Sequence, residues 1–242
     1  MVSVKTRLIR EHNRLYKFWM RLLWRLYGMD SPIVLMVHGF KDKPQSAFEL
    51  TQASFEKLMQ YMVNNGWHAM TQEELLSGEW KKKSFYLTFD DVYDTVYTGA
   101  FPVLQKLGIP FTIFVTRDLI DKDTYITRKH LGELKKSPLC RVGAHGVQHL
   151  VFRNLSRKEV SQQCTVSDTF AFPYGRIVEV SSKNRRQIAK TGYSMSFSAL
   201  EGTLRASWFT GKHFLPRVNV SERFVEKFMA GEFPRFKDCE GR

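Results

Sequence analysis

Two adjacent carboxylates, Asp90 and Asp91, end an apolar run in "SFYLTFDDVYD", residues 84–94. A strand that finishes this way either turns into a solvated loop or delivers its acids into a site. Neighbouring side chains on a strand point to opposite faces, so the two acids are expected to have different surroundings and different work. Farther along, "GAHGVQHL" spaces His145 and His149 four residues apart. If that segment turns helically, both rings point the same way and can share one ion, although such spacing is also common on ordinary helix faces. Two imidazoles and one carboxylate make the three-ligand set of an open hydrolytic metal site, whose free position holds a water with its pKa lowered towards about 7. One aspartate of the doublet would then ligate the metal, and its neighbour would take the proton from the bound water. Without a cation, adjacent carboxylates repel and raise one another's pKa.

Such residues need elements that bring them to one place. From Ser31 onward the pattern alternates strand and helix. Apolar runs predict strands at "IVLMVH" (33–38), "FYLTF" (85–89), "PFTIFVT" (110–116), "CRVGAH" (140–145), "TFAFP" (169–173), "YSMSFS" (193–198) and "FLPRVNV" (214–220). Helices are expected over 55–67, 95–107, 127–136 and 179–191, two of them closed by a glycine, Gly66 or Gly108. Alternation of this kind implies a largely parallel sheet or barrel. His38, Asp90 with Asp91, His145 and Tyr174 each fall at, or just past, the C-terminal end of a predicted strand. In parallel barrels that rim is where chemistry is assembled.

The bulk numbers narrow the partners. A chain of 242 residues with 43% hydrophobic and 14% aromatic residues can bury a substantial core and is not a disordered one. A net charge of +13 calls for an anionic partner: a membrane surface, a nucleic acid or an anionic polysaccharide. No nucleic-acid motif accompanies the charge, so no nucleic acid is expected. Three widely spaced cysteines, Cys140, Cys164 and Cys239, argue against a disulfide scaffold and against a cysteine zinc site, and fit a reducing compartment. No apolar stretch approaches the 18 or so residues that would cross a membrane, and no apolar segment with a small-residue cleavage site supports secretion.

Residues 1–30 stand apart as a basic amphipathic helix. Lys5, Arg7, Arg10, Arg14, Lys17, Arg21 and Arg25 face one acid, Glu11, and most of them step by three or four. Leu8, Leu15, Trp19, Leu22, Leu23 and Leu26 occupy much of the remainder. Such a helix either packs on its own domain with a solvated basic face or lies on an anionic membrane surface through residues 5–27. The second reading, with no secretion signal, places the protein in the cytoplasm, peripheral at the inner membrane face. Residues 31–242 form the remaining domain.

Here the sequence resembles a known family. "LTFDD" (87–91), "GAHGVQH" (143–149) and "FAFPYG" (170–175), in that order, are similar to the first three motifs of the polysaccharide deacetylases, carbohydrate esterase family four. The framework around them, over about residues 33–225, resembles that family as well. The resemblance implies a distorted (β/α) barrel of about seven parallel strands, preceded here by the extra N-terminal helix. It implies hydrolysis of an N-acetyl, sometimes O-acetyl, group on a sugar. It matches Asp90 to the catalytic base and Asp91, His145 and His149 to the ligands of a divalent metal, Zn²⁺ foremost, with Co²⁺, Ni²⁺ or Fe²⁺ as alternatives. It matches Tyr174 to the residue whose backbone N–H helps hold the oxyanion, with Pro173 and Gly175 shaping its loop.

The sequence departs from the family pattern in four places. Val92 stands where the family usually has Gly, and its Cβ is expected to tighten access or alter the turn. Gly146 replaces the Ser or Thr whose hydroxyl normally braces the loop after the first metal histidine. Residues 157–169 are short for a complete βα unit. The leucine-x-histidine motif that supplies a general acid is not visible near the C-terminus, where "FLPRVNV" offers Arg217. The acid is therefore sought in His38, at the rim end of the first strand, or His213, just before the last strand and expected at the wrong end. Arg217 would orient Asp90 through a charge-assisted hydrogen bond.

Together these readings point to a metal-dependent carbohydrate N-deacetylase acting on N-acetyl groups of a polysaccharide, an oligosaccharide or a lipid-linked precursor. Val92, Gly146 and the short segment keep open a degenerate relative that binds glycan or metal without catalysis.

Overall fold

The structure is a computed structural model and describes residues 30–46 and 48–232, together with Leu15, Phe18 and Leu22. The three isolated positions are helical, with Leu15 and Phe18 exposed. The rest of the helix predicted over residues 1–30 lies outside the described residues, as do Cys239 and the C-terminal ten residues. Among the described residues no helix is long and apolar enough to cross a membrane.

The chain enters the barrel through β1 (Ile33–Val37), a five-residue strand buried throughout. Two short strands follow, β2 (Gly39–Phe40) and β3 (Glu49–Leu50), which pair with each other above the rim. Helix α1 (Gln52–Asn64) is started by the Thr51 side chain, which accepts from the Ser54 N–H and so satisfies one of the free first-turn donors. After β4 (His68–Ala69) comes α2 (Gln72–Ser77), with a reciprocal capping box between Thr71 and Glu74 and a left-handed Gly78 at its end. The central strand β5 (Ser84–Asp90) runs into a π-helical turn at Val96–Ala100 and then α3 (Phe101–Leu107). The remaining units are β6 (Phe111–Val115), α4 (Arg128–Lys136), β7 (Cys140–Ala144), α5 (Arg157–Gln162), β8 (Thr169–Ala171), α6 (Ser182–Ala189), β9 (Met195–Glu201), α7 (Ser207–Thr210), β10 (Leu215–Asn219) and α8 (Glu222–Met229).

Seven strands, β1, β5, β6, β7, β8, β9 and β10, pair in that order, every pair parallel, and β10 closes back onto β1. The fold is thus a (β/α) barrel of seven parallel strands, with the two residues of β4 added at the start of β5. Strand periodicity then sorts the side chains. Phe85, Leu87 and Phe89 of β5, like Ile33, Leu35 and Val37 of β1, join the apolar layer under the helices. Their alternates Val34 and Tyr86 pack instead with Phe114, Ala171, Met195, Phe197 and Leu215 in the barrel interior. Residues two apart stay on the same side, so this inward set continues as His38, Asp90, His145 and Arg217. The alternation therefore carries four chemically active side chains to the inside of the barrel, and three of them to its C-terminal rim.

The segment expected to be truncated is present but brief: α5 has six residues and is capped reciprocally by Ser156 and Glu159. A cleft of about 400 Å³ lies at the other end of the barrel, between Leu75, Trp80, Met195 and Leu215, away from His38, His145 and His149.

Candidate active site

Asp90, the last residue of β5, is 3% exposed and faces Arg217 on β10. Two parallel bonds join them: Nη1 donates to Oδ1 at 2.7 Å and Nη2 donates to Oδ2 at 2.6 Å. The guanidinium is itself fixed, because Nε donates to the Ser198 carbonyl at 2.8 Å and Nη1 to the Thr88 hydroxyl at 3.2 Å. Phe114 and Phe197 flank it, with ring centres 5.7 and 5.9 Å from Cζ. Burial pushes the Asp90 carboxyl towards a higher pKa, but Arg217, His145 and His38 outweigh that push and hold it below the usual carboxylate range. Asp90 is therefore a buried, ionised carboxylate whose orientation is locked.

Asp91 would point away from Asp90 if the strand continued. It does not continue: Asp91 takes φ +61°, Val92 takes φ +51°, and the Val92 N–H donates back to the Asp90 carbonyl at 2.7 Å. This tight turn redirects Asp91 to the rim, where its Oδ1 lies 3.4 Å from His145 Nε2 and 3.0 Å from His149 Nε2. Val92 places its own side chain in the apolar layer, fully buried, and its carbonyl accepts from the Ile126 N–H. Of the two effects expected of a Cβ here, tighter access or an altered turn, the first is corrected by the buried position of the side chain. The side chain anchors the turn from below and does not line the mouth.

His145 follows β7 directly, its N–H bonded to the Val115 carbonyl, and is 2% exposed. Its Nδ1 donates to the Ala171 carbonyl at 2.9 Å, which orients the ring and turns Nε2 toward Asp91. His149 arrives through a loop with Gly146 at φ +81° and its own φ at +54°, so an irregular turn, and not a helical one, carries the pair. Burial alone would lower the His145 pKa; Asp90 and Asp91 more than reverse that and raise it.

Asp91, His145 and His149 form the only group of three such side chains within metal-binding distance among the described residues, their ligand atoms within 4.8 Å of one another. The buried Oδ1 of Asp91 accepts no hydrogen bond although two imidazole nitrogens sit beside it. Carboxylate oxygen and bare imidazole nitrogen repel at such range unless a proton or a cation lies between them. Donors bonded at about 2.0–2.1 Å to a tetrahedral ion are about 3.3 Å apart, close to the 3.0 and 3.4 Å separations present. The residues fit a divalent metal.

Tyr174 crowns the loop after β8. The Gly175 N–H donates back to Pro173 at 2.7 Å across Tyr174, whose φ is +60°. Gly175 is obligatory there, since a Cβ would meet the Ala199 nitrogen at 2.5 Å. The Tyr174 ring is half-exposed and tilts over His149 with centroids 4.7 Å apart. Four of the seven described non-glycine residues with positive φ are Asp91, Val92, His149 and Tyr174, so backbone strain collects on this rim.

His38 follows β1 on the same rim, with Phe48 edge-on at 5.2 Å and no hydrogen-bond partner at Nδ1. Burial lowers its pKa, and the charges of Asp90 and Asp91 oppose that. His213 precedes β10, and its carbonyl accepts from Ser196 near the start of β9, which puts it at the opposite end of the barrel. Sequence reasoning did not find Gln163, Ser198 or the Ala171 carbonyl. Ser198 and Ala171 act through main-chain carbonyls, and Gln163 through a side chain that reaches main-chain amides, so residue type alone announces none of them.

A seven-stranded parallel barrel bearing a carboxylate doublet and two histidines on its C-terminal rim has the layout of a hydrolase. A model of the family described as polysaccharide deacetylase matches residues 77–196, the span from the end of α2 into β9 that holds both aspartates, both histidines and Tyr174. The chain belongs to the polysaccharide deacetylase family. Among its relatives is YxkH of Bacillus subtilis, itself named for this family, which is 28% identical over 207 residues covering 78% of this chain and 71% of that one. The poly-beta-1,6-N-acetyl-D-glucosamine N-deacetylase of Staphylococcus aureus is 23% identical over 208 residues, covering 74% and 70%. In fold the chain is similar to the deacetylase PplD of Streptococcus pyogenes, whose structure contains acetate: TM-score 0.73, 20% identity, 84% of this chain and 99% of that one.

Proposed function

We propose that the protein is a metal-dependent N-deacetylase that removes acetyl groups from an N-acetylated sugar. The observation that carries this reading is the convergence of Asp91, His145 and His149 on one point, with an unsatisfied carboxylate oxygen, beside an ionised Asp90 held by Arg217. Asp91, His145 and His149 would hold the divalent cation. When bound, the cation supplies Lewis acidity, lowering the pKa of a water towards about 7 and polarising the acetamide carbonyl.

The chain's own residues do the rest. Asp90, kept ionised and oriented, accepts the proton that the attacking water gives up. Fixing the base in advance saves the reorientation that a mobile carboxylate would need. The Tyr174 N–H, on its strained turn, donates to the oxygen that becomes negative when the carbonyl is attacked. His38, on the same rim, is the group placed to pass a proton to the departing amine, although burial holds its resting pKa below the ordinary value against the fields of Asp90 and Asp91. Acetate and a free amino sugar result. The S. aureus relative acts, by its name, on an N-acetylglucosamine polymer, which supports an N-acetylated glycan as the substrate class here.

The test is acetate release from N-acetylglucosamine oligomers and lipid-linked N-acetyl sugars by metal-stripped protein reloaded with Zn²⁺, Co²⁺, Ni²⁺ or Fe²⁺. Release that depends on the metal and disappears in Asp90→Asn, while metal binding persists, is expected. Metal binding without release from any of these substrates would leave a binding protein and overturn the catalytic reading.

A further inference from the structure

The loop that carries both histidines lacks the usual hydroxyl brace, because residue 146 is Gly. Its φ of +81° explains why: a side chain there would be strained, and a Cβ would already touch Gln163 and Pro173 at 3.5 Å. Something else must hold the chain between His145 and His149.

The carbonyl side of the loop is held by main chain. The Arg117 N–H donates to the Gly146 carbonyl at 3.3 Å and the Asp118 N–H to the Val147 carbonyl at 3.0 Å. The amide side is held by one side chain from a different element. Gln163, at the C-terminal end of α5, aims Oε1 at the N–H groups of both Val147 and Gln148, each at 3.0 Å. Its Nε2 donates to the Gln148 side-chain carbonyl at 3.3 Å. Gln163 is 3% exposed, and its own N–H is spent on the Glu159 and Val160 carbonyls, so both its backbone and its side chain are pinned. A primary amide suits this position, since one oxygen can accept twice while the nitrogen donates, without placing a net charge in a buried spot.

We propose that Gln163 is a positioning residue for the metal centre: it fixes the 146–148 main chain so that His145 and His149 present Nε2 to the same point. The short 157–169 segment then has a use, because the six-residue α5 ends where the residue that caps it, Gln163, reaches this loop. The inference rests on the reading that Asp91, His145 and His149 bind a divalent cation. Groups that orient metal ligands typically contribute 10–100-fold in affinity.

The experiment measures Co²⁺ binding to the metal-stripped full chain by competition with a chromophoric chelator, with the Co²⁺ visible spectrum as a second readout and far-UV circular dichroism as the check on folding. The unaltered chain is expected to bind Co²⁺. Gln163→Met, of similar volume but without the acceptor, is expected to bind 10–100-fold more weakly with an altered spectrum. Gln163→Asn, which withdraws the carbonyl by one methylene, decides by the same criterion if the Met variant does not fold. A folded Met or Asn variant with unaltered affinity and spectrum would overturn the role of Gln163 and leave the metal site standing. Failure of the unaltered chain to bind Co²⁺ would overturn the metal site and this inference together.

Discussion

Arg217 and Asp90 meet across the barrel interior through two parallel hydrogen bonds of 2.7 and 2.6 Å, each side chain almost wholly shielded from solvent. Removing one partner of such a pair leaves an unpaired buried charge, which costs about 3–5 kcal/mol, whereas the intact pair adds little net stability. Arg217→Met is therefore expected to lower stability by about that amount in urea titrations. Activity should fall further than the folded fraction does, because the base loses its orientation as well as its partner. A variant of unchanged stability would mean that Asp90 is not charged in the native state.

His38 and His213 are separated by the length of the barrel, so they make opposite predictions. His38→Ala should reduce the acetate-release rate by about 10²–10⁴-fold, the usual worth of a general acid, with Co²⁺ affinity within a few-fold of the unaltered chain. His213→Ala should leave the rate unchanged, since the residue lies at the N-terminal end of the barrel, its main-chain carbonyl accepting from Ser196. Equal effects from both substitutions, measured as kcat on one oligosaccharide, would remove His38 from the mechanism.

Three carboxylate and imidazole groups packed around an unsatisfied oxygen make the native state a better metal binder than the unfolded chain. Zn²⁺ at about 100 times its Kd should stabilise the protein by about 2.7 kcal/mol, provided the unfolded chain binds little. For a domain of this size that is a rise of about 5–10 °C in Tm. Asp91→Asn should abolish the rise, and a chelator should reverse it in the unaltered protein. A Zn²⁺-independent Tm would contradict the site.

Much of this architecture was legible because strand periodicity is a local rule. "SFYLTFDD" reads as an inside–outside alternation, and the same parity puts His38, Asp90, His145 and Arg217 inside the barrel. The carboxylate doublet and the histidine spacing drew attention to residues that the structure brings together. What stayed hidden depends on backbone conformation and on main-chain partners. Nothing in residue type announces that Asp91 and Val92 adopt positive φ, since β-branched Val is among the residues least expected there. Nor does any pattern connect Gln163 to amides 15 and 16 residues before it. Whether His145 and His149 are joined by a helical turn was likewise not legible: Gly146 takes a left-handed conformation that a helix does not contain.

Cysteine reactivity gives an independent check on the core. Cys140 opens β7, is buried, and has its thiol pushed up by that burial to about 12. At pH 8 only about one molecule in 10⁴ would carry the thiolate that reacts with iodoacetamide. Native labelling followed by peptide mass spectrometry should find Cys140 unmodified, and labelling in denaturant should modify it fully. Native modification of Cys140 at the unfolded rate would place β7 outside the core.

Val92 offers the sharpest separation of strain from packing. In ordinary extended or helical backbone a Gly variant is less stable than the Ala variant by about 0.5–1 kcal/mol, because Gly loses more freedom on folding. At φ +51° the comparison changes, since Val and Ala both carry a Cβ into the left-handed region at about 1–2 kcal/mol and Gly does not. Both variants lose the buried side chain: Val92→Ala forfeits two buried methyl groups, about 1.6 kcal/mol, and Val92→Gly forfeits slightly more. The strain relief in Gly offsets its entropy and its smaller apolar area. Val92→Gly is therefore expected to be at least as stable as Val92→Ala, with both below the unaltered chain, in urea or thermal unfolding. A Gly variant weaker than Ala by the ordinary margin would show that Val92 is relaxed and that the turn aiming Asp91 is not under strain.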